Sequence, residues 1–235
     1  MAITVDVADL GGKFSNDASS ASIAWTPTGD AAADALIIAV FGWADKTVSI
    51  TGVTDNGPGL TWNVVQRPWQ GAGGNNSAGG FAWALAPAGF TTGTVTAALS
   101  AAAPARAAGG TSFAGVATSS PLDGSTGTGE NVGTAVSSGA FTLTAGSVLV
   151  SSVWYENSPT GLDENGSGTR PWEVIDDDGY GVSLLYQINA GGGSTTNTGT
   201  ISSTNWIHCS AAFLEAAGGG GGPVGQGPPY EFNWT

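Results

Sequence analysis

Hydrophobic positions along this chain fall in short runs, each closed by Gly, Pro, Asn or Asp, and sustained helical periodicity is all but absent. Runs rich in Val, Ile, Thr and aromatic residues, recurring between turn residues, predict strands of an antiparallel sandwich or barrel. The expected strands are Ile3–Val7, Ser22–Thr26, Ala35–Trp43, Thr47–Thr54, Thr61–Gln66, Gly80–Leu85, Thr92–Leu99, Ala107–Val116, Gly139–Thr144, Ser147–Tyr155, Trp172–Ile175, Val182–Asn189, Thr198–Ser202 and Trp206–Leu214. In the first, Ile3, Val5 and Val7 share one face while Thr4 and Asp6 take the other. Leu36–Phe41 and Val148–Val153 are apolar on both faces or nearly so, which predicts central strands. Ala31–Ala33 and Ala101–Ala108 read as brief helical turns, the second kept short by Pro104 and Gly109.

The pattern also repeats. Asp34 to Trp43 parallels Gly146 to Trp154. Asp55-Asn-Gly-Pro-Gly59 followed by Trp62 parallels Glu164-Asn-Gly-Ser-Gly168 followed by Trp172. Gly93-Thr-Val-Thr96 and then Phe113 parallel Gly199-Thr-Ile-Ser202 and then Phe213. Three matches in one order predict two related halves, 21–116 and 137–216, within a β-sandwich spanning 1–217, with 117–136 as their connection. After Ala217 the pattern stops. Residues 218–229 are a Gly/Pro-rich linker, and Tyr230-Glu-Phe-Asn-Trp-Thr235 follows it. Tyr230, Phe232 and Trp234 alternate, so an extended segment would present all three on one face; they are the expected partner-binding residues.

Composition changes this picture in three ways. Leu, Ile, Val and Phe make up just under a fifth of the chain, a level near that of disordered sequences, but nine Trp supply large buried surfaces. Five Lys and Arg against 18 Asp and Glu give a net charge of -13, which leaves no basic patch for nucleic acid or an anionic membrane. No apolar run reaches membrane-spanning length, and Met1 to Leu10 lacks the basic start and apolar stretch of a signal peptide, so the expectation is synthesis in a cytoplasm.

Candidate chemistry is sparse. The one cysteine, Cys209, excludes an internal disulfide or multi-cysteine zinc site, and it follows the one histidine, His208, on a predicted strand where neighbours face opposite ways. Asp55-Asn56-Gly57 and Glu164-Asn165-Gly166 read as tight turns, and Asp176-Asp177-Asp178 as a solvated turn rather than a calcium loop; neither metal nor cofactor is expected. Asp6, Glu156 and Glu173 are carboxylates that glycosidase chemistry would need in facing pairs, and nothing in the spacing pairs them. Trp69, after Pro68 and before a Gly/Asn loop, reads as exposed; with Asn75 and Asn76 it forms the alternative carbohydrate site of an adhesin module recognising host glycans.

The string Ser49-Ile-Thr-Gly-Val-Thr-Asp-Asn-Gly57 leading to Trp62, with Phe113-Ala-Gly-Val116 and Ser120-Pro-Leu-Asp123, resembles jelly-roll-like β-sandwich domains of bacteriophage virion proteins and of some bacterial surface proteins. The polyglycine arm and aromatic end are similar to the extensions by which phage decoration and minor tail proteins clasp neighbours. The resemblance implies an all-β, jelly-roll-like antiparallel sandwich and a non-enzymatic virion role, as a capsid decoration or tail-associated protein bound to capsid or tail subunits, or to further copies of itself. It carries over no catalytic residue. A location on the virion surface also reconciles a Thr/Ser/Gly-rich, low-charge chain with the absence of an export signal and of disulfides.

Overall fold

The short apolar runs fold as strands, and the described residues contain no helix. The structure, a computed structural model, describes residues 2–17, 19–71, 76–90, 93–124, 126–156, 161–163, 169–175, 180–202 and 205–217. The first half supplies β1 (Thr4–Val7), β2 (Gly12–Ser15), β3 (Ser22–Trp25), β4 (Ala35–Trp43), β5 (Ile50–Asp55), β6 (Asn63–Pro68), β7 (Ala78–Ala86), β8 (Val95–Leu99) and β9 (Arg106–Ala114). The second supplies β10 (Gly127–Val132), β11 (Ala135–Ser137), β12 (Phe141–Leu143), β13 (Ser147–Glu156), β14 (Leu162–Asp163), β15 (Thr169–Ile175), β16 (Gly181–Asn189), β17 (Gly193–Thr195), β18 (Thr198–Ile201) and β19 (Asn205–Phe213).

Two large antiparallel sheets dominate. One runs β1-β9-β4-β7-β6, with β2 following β1 along the same edge of β9; the other runs β10-β19-β13-β16-β15. Smaller sheets β3-β8-β5 and β11-β18-β14 and a β12-β17 ribbon complete the molecule. The two sets correspond strand for strand: β1, β3, β4, β5, β6, β7, β8 and β9 occupy the places of β10, β11, β13, β14, β15, β16, β18 and β19. Pairing is nested, β1 with β9, β3 with β8 and β4 with β7, so that in each half a large antiparallel sheet faces a three-stranded one, as in a β-sandwich.

The layers stack four deep. Because side chains alternate across a strand, Ala35, Ile37, Ala39, Phe41 and Trp43 of β4 face β3-β8-β5 and form the first half's own core. Leu36, Ile38 and Val40 face the other way and meet Val148, Val150 and Trp154 of β13 at a midline between the two large sheets. On the far side of β13, Val153 and Tyr155 pack under the β11-β18-β14 sheet. Both β4 and β13 are therefore buried along their whole length, which is why β4 is apolar on both faces and β13 nearly so, its buried Ser151 and Ser152 being the interruption.

Contacts across the midline are reciprocal, as a two-fold axis would produce. β7 packs on β13 as β16 packs on β4, and β6 packs on β19 as β15 packs on β9. Phe213 meets Trp83 edge-on at 5.4 Å, and Phe113 meets Tyr186 edge-on at 5.2 Å. These two pairs hold equivalent register positions: Phe113 and Trp83 flank Leu36 and Ile38 on β4, and Phe213 and Tyr186 flank Val148 and Val150 on β13.

Several expectations need correcting. Trp43 does not correspond to Trp154. Asp34 (φ 60°) and Gly146 (φ 86°) open β4 and β13 in the same left-handed conformation, so Gly42 answers to Trp154 and Trp43 to Tyr155, and the two tryptophans face opposite layers. Segment 117–136, read as a connection, contains β10, whose backbone pairs with β19. The Ala101–Ala108 stretch forms no helical turn; it leads into β9 at Arg106, where pairing with β4 on one side and β2 on the other overrides the helical preference of alanine. Residues 218–235, including Tyr230, Phe232 and Trp234, lie outside the described residues, as do Glu164–Gly168 and Asp176–Gly179.

Candidate functional site

The carbohydrate platform expected around Trp69 is not assembled. Trp69 is 3% exposed and belongs to the midline core. Its backbone N–H donates to the Ser77 carbonyl at 2.8 Å, which turns the chain back after β6 and sends the ring inward, with Gly71 packed against it. Asn76 is exposed and braces the neighbouring loop, accepting from the Lys46 N–H at 3.4 Å. Asn75 lies outside the described residues.

The carboxylates singled out for acid-base chemistry are each engaged locally. Asp6 accepts from the Ala32 N–H at 2.8 Å and the Ser112 hydroxyl at 2.9 Å. Glu173 accepts from Tyr155, from Ser183 at 2.6 Å and from the Leu162 N–H at 2.7 Å, and pairs with Arg170 at 2.6 Å. Glu156 ends β13 and takes hydrogen bonds from Ser77 of the first half and from Asn205; burial pushes its carboxyl above the usual range. Among the described residues, no three His, Cys, Asp or Glu side chains gather as metal ligands would.

His208 and Cys209 diverge, as neighbours on a strand must. The Cys209 thiol points to the midline and donates to the Gly79 carbonyl at 3.6 Å, and burial pushes its pKa up. His208 faces outward from β19 beneath β10, where Gly129 leaves room that a Cβ would take from the ring. Its Nδ1 meets the Ser210 hydroxyl at 3.2 Å, and Ser210 continues to Ser151 and thence to Asn197, a buried chain of hydroxyls and amide. Burial, with the Arg67 charge nearby, depresses its pKa to about 4. The ring forms part of the floor of a polar hollow of about 500 Å³ lined also by Thr128, Ser138 and Phe141.

A second hollow has a different character. It measures about 480 Å³ and is walled by Pro58, Leu60, Trp83, Leu85, Pro87 and Pro121. The loop after β5 supplies Pro58 and Leu60, and Asp55 holds that loop. Its carboxylate accepts from the N–H groups of Gly57 (3.1 Å), Gly59 (2.8 Å) and Leu60 (2.7 Å) and from the Trp62 indole (3.1 Å). Burial raises the Asp55 carboxyl, but these four donors outweigh it and hold it below the ordinary aspartate value. Sequence reading did not find this groove. Each proline merely marks its own loop, and only the nested topology brings the three together.

The chain's last described residues run beside this groove. Trp83, one wall, meets Phe213 edge-on, and the carbonyl of Pro121, another wall, accepts from the Leu214 N–H at 2.7 Å. The Ala216 N–H then donates to the Gly115 carbonyl at 2.8 Å, fixing where the chain leaves the sandwich. No protein-family model, curated protein or solved structure matches this chain.

Proposed function

We propose that this protein is a non-enzymatic structural component of a virion, a capsid decoration or tail-associated protein that binds neighbouring subunits partly through Tyr230, Phe232 and Trp234. The observation that carries the reading is the four-layer packing, in which Asp6, Asp55, Glu156 and Glu173 fix turns, strands and the contact between halves. A block of this kind transmits load between neighbours without changing shape, because packed cores deform little. The resemblance of its turn and core strings to phage virion sandwiches points to the same role, as does a Gly-rich tether ending in three alternating aromatic residues.

Deleting residues 218–235 and measuring occupancy on assembled particles tests the reading. Removing three aromatic anchors should lower particle affinity by about tenfold or more while leaving the far-ultraviolet circular dichroism of the sandwich unchanged. Undiminished occupancy would overturn the role given to the arm.

A further inference from the structure

The apolar groove and the exit of the chain lie side by side, and the length of the remaining chain decides what can fill the one from the other. We propose that the groove walled by Pro58, Leu60, Trp83, Leu85, Pro87 and Pro121 is the resting seat of the chain's own aromatic peptide, Tyr230–Trp234. The inference rests on the reading of residues 230–235 as a docking peptide.

Distance comes first. Ala216 is tied to Gly115, just past the end of β9, and the groove sits at the ends of β7 and β6, two and three strands along the same sheet. At the usual strand spacing this is about 10–14 Å. A flexible Gly-rich segment with the length of 218–229 would have a root-mean-square span of about 17–21 Å, enough to cover the gap without stretching. A short tether of this kind sets an effective concentration in the millimolar range, which favours the chain's own peptide over that of a second copy at ordinary protein concentrations.

Chemistry agrees with distance. The six walls carry no charge and offer proline and indole faces, the surfaces against which aromatic rings pack well. An extended Tyr230–Trp234 segment would turn its three rings into the groove and leave Glu231 and Asn233 on the wet side. The seat keeps these rings out of water until a neighbouring subunit competes for them.

The test uses the full-length protein in isolation, with Phe232 replaced by the photo-reactive analogue p-benzoyl-phenylalanine. After irradiation at low micromolar concentration, adducts are located by mass spectrometry. Intrachain adducts within 58–63, 83–88 or at Pro121 are expected, and a charge introduced by Leu60→Asp or Leu85→Asp should reduce their yield by about tenfold. Near-ultraviolet circular dichroism shows which variant keeps its fold, and either suffices. Adducts between two chains, adducts elsewhere on the surface, or a yield indifferent to both substitutions would overturn the seat. Because no particle is present, any of those results leaves the assembly role to be judged on its own by particle occupancy.

Discussion

Burying an imidazole near a guanidinium gives it little reason to accept a proton. His208 is 6% exposed, and its folded-state value of about 4 lies below the 6.5 of an unfolded histidine. On acidification the unfolded chain therefore binds the proton first. The stability contributed by the neutral ring is intact above pH 6.5, erodes as the pH falls, and is lost by about pH 4. A displacement of this size corresponds to about 3 kcal/mol. Glu156 works in the opposite sense: its raised value makes the folded state hold a proton longer, so its share of stability declines as the pH rises through that value. His208→Gln isolates the imidazole. Between pH 7 and 4.5 the wild-type protein should lose about 2–3 kcal/mol more than this variant in urea unfolding, and equal losses would contradict the assignment.

At the level of elements, the contact between the two large sheets depends on an unequal pair of positions. Trp154 of β13 lies on Gly42 of β4 and Gly79 of β7, which face each other across adjacent strands, and a Cβ on Gly42 would overlap the indole. Trp154→Ala should cost about 3–5 kcal/mol by leaving a void. Gly42→Ala should cost about 1–3 kcal/mol by overpacking, yet almost nothing once Trp154 has been removed. Chemical denaturation of the two single variants and the double variant measures this coupling; additive losses would refute it. The sequence made β4 legible to the residue and β13 nearly so, because strands buried on both faces carry long apolar runs, unbroken in β4 and interrupted in β13 by Ser151 and Ser152. It concealed β10, whose Gly127-Thr-Gly-Glu-Asn-Val132 reads as a polar linker. That strand is held by backbone pairing to β19 and by Glu130, which accepts from Arg67 at 3.1 Å and from the Gln70 N–H at 2.9 Å. The burial of Trp69 is hidden for a related reason: Pro68 and Gly71 announce a turn but are silent on which way the ring points.

For the whole molecule, local pattern predicts an all-β sandwich but not the way the two large sheets meet. Nothing along the chain marks Phe113 and Phe213 as the residues that reach across to Tyr186 and Trp83, since that depends on two sheets being laid face to face. With the sheets face to face, each half covers apolar residues of the other, and removing one half would present Leu36, Ile38, Phe81 or Val148, Val150, Leu184 to water. The sole thiol lies on that shared plane. Cys209 thus serves as a built-in stopwatch for parting of the copies: a bulky aromatic disulfide reagent should react with it no faster than the whole protein unfolds, and Trp154→Ala should quicken both rates alike. A thiol that reacted freely while the circular dichroism held steady would reveal a molecule that opens like a book without coming apart.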